Sequence, residues 1–327
     1  MAQPWAQADF EALDRFVADT SGAALLIIER GRLVHEWYRD GDPQFRRDIA
    51  SAQKSVIALL VGRAIDDGLV SLDTPIVDVL GPDWVPTGDA PDVHVEHLLS
   101  MTSGLDHQLR EFAPPGEVWQ YSNAFAKLAD VLEAVTSGKP LDELARSWLF
   151  GPAGAPTAMF RTRPSAATAE ADAAPFGLVA SAADLAAIGD LVLAGGGTAV
   201  SSGWVAAALS PSSSLNPSYG YLWWLNGQDG FRLPGRNAPL EPGPLLPTAP
   251  EDLVAALGAD DQKLYVSRQL ELVVVRLGDK ATPAGEPALS RFDDDLWTRL
   301  LTARGECRMS SRRTSAGAPG SPPVRSG

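Results

Sequence analysis

A chain of 327 residues, 45% apolar and 21% charged, can bury one large core or two intertwined lobes, and it is too apolar for a disordered protein. A formal net charge of −14 argues against nucleic acid or an anionic membrane as partner. The single cysteine, Cys307, excludes an internal disulfide framework, and its place in a polar tail argues against catalysis.

The opening "MAQPWAQADFEALDRF" has neither the basic start nor the apolar stretch of a signal peptide, and no apolar run is long enough to span a bilayer. A cytoplasmic location is the expectation. "GAALLIIERGRLVHEWY" predicts two strands around a turn at Glu29-Arg30-Gly31-Arg32. Residues 51 to 67 predict a helix, apolar nearly all round and therefore buried, with Gly68 closing it. From there to about residue 200 the pattern is mostly helical. Within it "SAADLAAIGDLVLAGGG" has Ser181 as N-cap, Asp184 three residues on and Gly195 as the stop. Strand character returns at 219–225, 252–259, 262–267 and 270–278, and "FDDDLWTRLL" predicts a closing helix. Strands at both ends with helices between them imply an α/β lobe built from both chain ends (about 1–48 and 200–303) and a helical lobe (about 49–199). Together they form one domain over 1–303. The Ser-, Gly- and Pro-rich residues 304–327 read as a disordered tail.

Ser51 and Lys54 stand three apart at the start of the buried helix, so they share a face. A serine hydroxyl is a poor nucleophile until a base takes its proton. Lysine, with an ordinary pKa of ~10.4, is no base at neutral pH unless burial lowers that value. Ser-x-x-Lys also starts ordinary helices with a solvated charge, but an unpaired lysine in a helix this apolar is costly. Further on, "PPGEVWQYSN" offers Tyr121 as a second proton carrier and Asn123 as an amide that steadies Lys54 or the substrate. The hairpin "AALGADDQKLYV" offers Gly258 followed by the backbone N–H of Ala259 as an oxyanion donor, beside the N–H of Ser51.

Ser-x-x-Lys near residue 50, Tyr-x-Asn some 70 residues later and a glycine-bearing hairpin near the C-terminus resemble the serine β-lactamase and penicillin-binding-protein superfamily. The chain is most similar to the class C-like branch, which also holds carboxylesterases, D-amino-acid peptidases and nylon-oligomer hydrolases. "VEHLLSMTSGL", "GLVASAADLAAIGDLVLAGG" and "KLYVSRQLELVVVRLGD" extend the likeness in the same order, over roughly residues 20 to 300. The resemblance implies an α/β (α+β) fold with an antiparallel sheet flanked by helices. It also implies an acyl-enzyme on Ser51, with Lys54 as general base, Tyr121 as second proton carrier and Asn123 assisting. The N–H groups of Ser51 and Ala259 would hold the oxyanion, with no metal and no cofactor.

The chain departs from the pattern at Ala256-Leu257-Gly258, where β-lactamases carry Lys-Thr-Gly; the cation and hydroxyl that grip a β-lactam carboxylate are missing. Esterase activity on a small ester is thus expected ahead of a nylon-oligomer-like amidase or a weak β-lactamase. A catalytically silent scaffold of the same shape is the reading from another class. Asp260 and Asp261 are either a hairpin turn or the receiver of a substrate ammonium group. Trp223 and Trp224 read as sheet core, with one of them, Trp223, a candidate for the cleft. His35, His94, His97 and His107 fit no metal-ligand spacing.

Overall fold

The computed structural model describes residue 5 and residues 7–86, 92–164, 174–281 and 291–305. Cys307 and the expected tail from 306 onward lie outside the described residues. Arg304, placed in that tail by sequence, belongs to the body: its guanidinium pairs with Glu29 at 2.7 Å, and its N–H bonds back to Leu300 in the closing helix.

An N-terminal helix, α1 (Gln7–Asp19), leads into strands β1 (Gly22–Glu29) and β2 (Arg32–Tyr38). Nothing in the sequence reading assigned that helix, although Phe10, Leu13 and Val17 recur on one buried face. Arg30 and Gly31 both adopt positive φ, 54° and 67°, the two-residue turn that matches strand twist. After β3 (Arg46–Asp48) and a 3-10 turn at Ala50–Ala52 comes helix α2 (Gln53–Asp66). It is buried from Gln53 to Gly62, as its apolar character requires, and Gly68 follows at φ 70°.

Strands β4 (Met159–Thr162) and β5 (Phe176–Ser181) join β3 in a small antiparallel sheet, order β3-β5-β4. The expected helical lobe therefore contains strands; these runs of four and six residues are too short to declare a period. The Ala182–Leu193 helix carries the expected capping box of Ser181 and Asp184. Residues 219–225 shrink to β6 (Trp224–Leu225), because Tyr219 bridges back to Trp224 around Leu222 at φ 60°. After a ribbon of β7 (Gly230–Phe231) and β8 (Glu241–Pro242) come β9 (Val254–Gly258), β10 (Gln262–Ser267) and β11 (Leu272–Gly278). The main sheet has order β2-β1-β11-β10-β9-β6, every pair antiparallel and both chain ends contributing. The closing Arg291–Ala303 helix packs with α1, and Ala182–Leu193 lies against β1, β10 and β11. Helices thus cover the central strands, and β11 is buried along its whole length.

Candidate active site

Ser51 sits in the 3-10 turn immediately before α2, with Lys54 one turn on. Lys54 Nζ lies 2.9 Å from Ser51 Oγ. The Lys54 side chain is buried and makes no ion pair among the described residues. It lies over the rings of Phe125 and Tyr121, 4.2 and 4.6 Å from their centroids. Ring faces favour an ammonium, but they supply no counter-charge. Burial, aided by the nearby Arg163 charge, pulls the lysine down to about 7. A free-base amine is therefore available against the serine near neutral pH.

Tyr121 shares a hydrogen bond with Ser51, and burial pushes its hydroxyl up to about 12. The Trp224 ring stacks on it at 5.9 Å, and Tyr219 meets it edge-on at 6.2 Å. Of the Trp223-Trp224 pair, Trp224 is thus the one that supports the site, with Trp119 also against Tyr121 at 6.3 Å. Trp223, the sequence candidate, is fully buried at 0% exposure and does not reach the cleft, because Leu222 at positive φ turns it into the core. Asn123 opens a 3-10 turn capped by the Ser122 side chain and borders the cleft.

The end of β9 packs directly on the serine turn. A Cβ at Gly258 would stand 2.1 Å from the Ile49 carbonyl oxygen, so only glycine permits the approach. This contact brings Ala259 to the cleft beside Ser51. The Ser51 N–H lies in the first turn, where helix geometry provides no acceptor. Ser51 and Ala259, whose N–H groups are the donors expected from the sequence, therefore border the cleft together.

A second set of residues, missed by the sequence reading, fixes the turn from below. Ala50 adopts φ 51°, unfavourable for a side chain, and its N–H donates to Asp48 Oδ1 at 2.8 Å. Arg163 grips the same carboxylate with two bonds, 2.8 and 2.6 Å. Gly177 leaves room for that pair, since a Cβ there would lie 2.2 Å from Asp48 Oδ2. An aspartate two residues before the turn is a weak local signal for the arrangement; nothing local points to Arg163 or Gly177.

The Asp260-Asp261 pair splits. Asp260, at φ 57°, borders the cleft with an exposed carboxylate. Asp261 turns inward, 3% exposed, and pairs with Lys263 Nζ at 3.1 Å while accepting the Ala281 N–H. Asp261 is thus no candidate for substrate contact: its charge is spent on a buried lysine.

The cleft has two arms, of about 1060 and 570 Å³, and Ser51, Lys54 and Asn123 border both. The larger arm carries Arg39, Arg47 and Arg163 with Asp40, Asp260 and Asp279. Arg39 is committed to the carbonyls of Gly22 and Ala18, Arg47 to Asp279 and Arg163 to Asp48. The smaller arm carries His107, Arg110, Gln120, Tyr121 and Arg236. Among the described residues no group of three or more His, Cys, Asp or Glu is arranged to hold a metal ion, and no helix is long and apolar enough to cross a membrane.

A serine with a buried amine, a tyrosine and two backbone donors around it, at the junction of a mixed lobe and a sheet, defines a site equipped for acyl transfer. A family model described as Beta-lactamase matches residues 11–294, and the chain belongs to that family. Esterase EstB of Burkholderia gladioli is 32% identical over 163 residues, 38% of this chain and 39% of that protein. A 6-aminohexanoate-dimer hydrolase of Paenarthrobacter ureafaciens is 24% identical over 291 residues, 70% of this chain and 72% of that one. An uncharacterized protein of Alkalihalophilus pseudofirmus is 29% identical over 141 residues, 39% of this chain and 41% of that protein, so the chain spans well under half the length of this relative and of EstB. A β-lactamase structure from Mycobacterium bovis superposes with a TM-score of 0.65 at 22% identity, over 86% of this chain and 95% of that one. That likeness speaks for the fold.

Proposed function

We propose that the chain is a carboxylesterase-like serine hydrolase that cleaves small esters through an acyl-enzyme on Ser51. The observation that carries this reading is the buried Lys54 amine, 2.9 Å from Ser51 Oγ and without a carboxylate partner among the described residues. Lys54 takes the hydroxyl proton as Oγ bonds to the ester carbon, and the carbonyl electron pair moves onto oxygen between the N–H groups of Ser51 and Ala259. Collapse of this adduct breaks the bond to the alcohol, which leaves with a proton passed from the Lys54 ammonium through Tyr121. Water then repeats the sequence on the acyl-enzyme, giving up a proton to the same pair, and the acid departs as Ser51 regains its hydrogen. Tyr121 acts as carrier and not as initial base, because its hydroxyl keeps its proton up to about 12. The esterase name of EstB supports an ester substrate.

Against a β-lactam, Ala256 and Leu257 are buried and apolar where a carboxylate grip would stand, and the arginines of the larger arm are already committed. One observation favours a second reading, an amidase for linear amino-acid amides. Asp260 and Asp40 border the larger arm without an ion pair among the described residues, and exposed Arg236 stands at the smaller arm. A substrate with an ammonium at one end and a carboxylate at the other would meet opposite charges in the two arms. The name of the Paenarthrobacter relative supports that class.

Ser51→Ala is expected to abolish both turnover of p-nitrophenyl butyrate and covalent labelling by a fluorophosphonate; near-normal turnover would exclude the mechanism. A wild-type chain that takes no label would instead be a silent scaffold. Among p-nitrophenyl butyrate, nitrocefin and a linear aminohexanoate dimer, the ester should give the highest kcat/KM. A preference for the dimer would select the amidase.

A further inference from the structure

The Ala259 N–H is carried on an awkward piece of backbone. Directly after it, Asp260 and Asp261 both adopt left-handed conformations, φ 57° and 58°. Aspartate tolerates that region better than most residues, but two in succession relax readily unless something holds them. Two buried side chains do so, and neither touches the cleft. The Gln262 amide, 1% exposed, donates to the carbonyl oxygens of Gly278 at 2.7 Å and Asp260 at 2.8 Å, with Ala259 O at 3.3 Å sharing a hydrogen. Its own oxygen accepts the Gly278 N–H at 3.3 Å. Arg276, 0% exposed, donates from Nη1 to Asp260 O and Asp261 O, both at 3.0 Å, and from Nη2 to Thr20 O and Asp279 O, both at 2.7 Å.

The three carbonyls of the 259–261 turn are thereby fastened to the end of β11 and to the chain entering β1. On the other side, Gly258 is pressed against Ile49 with no room for a Cβ. The peptide that presents Ala259 N–H is clamped between these contacts. A charged arginine gripping four carbonyls is a stronger anchor than neutral pairing alone.

We propose that Gln262 and Arg276 are positioning residues for the oxyanion site: they set the direction of the Ala259 N–H toward the reacting carbonyl oxygen. The proposal rests on the acyl-enzyme reading above. Ground-state binding does not need this donor in full alignment, whereas the charged intermediate does. Loosening the turn should therefore lower kcat and leave KM nearly unchanged.

The test compares p-nitrophenyl butyrate with its thiono analogue, in which sulfur replaces the carbonyl oxygen and accepts hydrogen bonds poorly. Active protein is counted by end-point titration with a fluorophosphonate. For Gln262→Met, kcat on the oxo ester is expected to fall roughly 10–100-fold, short of the full loss of an oxyanion donor. KM should stay within about twofold, and the oxo-to-thiono rate ratio should shrink by a similar factor to kcat. Arg276→Lys, which keeps the charge and loses the fork, should shift the ratio the same way and serves where Gln262→Met folds poorly. Equal losses on both substrates would mean that the residues only support the fold, and an unchanged kcat would also overturn the proposal. Ser51→Ala, measured alongside, separates the two levels: if it keeps its activity, the acyl-enzyme reading itself has failed.

Discussion

Lys54 keeps its proton up to ~10.4 in an unfolded chain and only up to about 7 in the fold. Between those values the unfolded state binds more protons, so stability rises with pH across that window and is lowest below about 7. On the proposed mechanism the same depression gives the amine its catalytic form. We expect kcat/KM for p-nitrophenyl butyrate to climb through about pH 7 as Lys54 loses its proton, with no further limb until the range of Tyr121 near 12. Lys54→Met should lose activity and gain stability, more at pH 6 than at pH 10, since the buried charge costs most where it is protonated. Urea unfolding at the two pH values measures this. An equal effect at both would mean that the lysine is not depressed. Ser51 and Lys54 were legible in sequence as candidates because three-residue spacing puts both on one helix face; Tyr121, Asn123 and Ala259, whose part is a backbone N–H, became candidates only through the order of the motifs along the chain. The more distant partners Asp48 and Arg163 had no such signal, since they lie 115 positions apart and meet only through the small sheet. Which of Asp260 and Asp261 borders the cleft was not legible, because the left-handed step at Asp260 sends the neighbouring carboxylates to different surroundings.

The docking of β9 on the serine turn is the contact between elements on which the site depends. Gly258→Ala places a methyl carbon 2.1 Å from the Ile49 carbonyl oxygen, a backbone atom that cannot swing aside. Either the turn or the strand end must move, and Ser51 and Ala259 separate. Overpacking of this kind costs about 1–3 kcal/mol, but the effect on rate should be larger. We expect kcat to drop more than about 100-fold, as when an oxyanion donor is lost, with a Tm lowered by only a few degrees. Unchanged kcat would show that the strand end does not set the donor. Elements with strong local grammar were readable: the Arg30-Gly31 turn, the Ser181–Asp184 capping box and the buried α2 all obey rules that act within a few residues. The small sheet and the fold-back at 219–225 obey distant partners, such as the Leu99 carbonyl that receives the Leu222 N–H. No window of sequence holds both.

Across the whole molecule, the closing helix is held on the sheet by polar contacts as well as by apolar packing. Lys263 on β10 stands 3.1 Å from both Asp261 and Asp293, and Asp293 also accepts the Tyr265 hydroxyl. Lys263 and Asp293 are fully buried, so this group fastens the closing helix to the sheet in a medium where an unpaired charge is costly. Asp293→Ala should therefore destabilise the chain by about 3 kcal/mol, the low end for a broken buried pair, because Asp261 still answers Lys263. The contrast is Lys127→Ala, which removes an ion pair with Asp130, 2.7 Å long but with Asp130 51% exposed; it should cost less than about 1 kcal/mol. Urea unfolding of both variants against the parent measures the difference. Equal costs would mean that solvent reaches the buried group and that apolar packing alone holds the C-terminal helix on the sheet. A large loss for Asp293→Ala alone would show that the buried group of Lys263, Tyr265 and Asp293 holds the closing helix on the sheet.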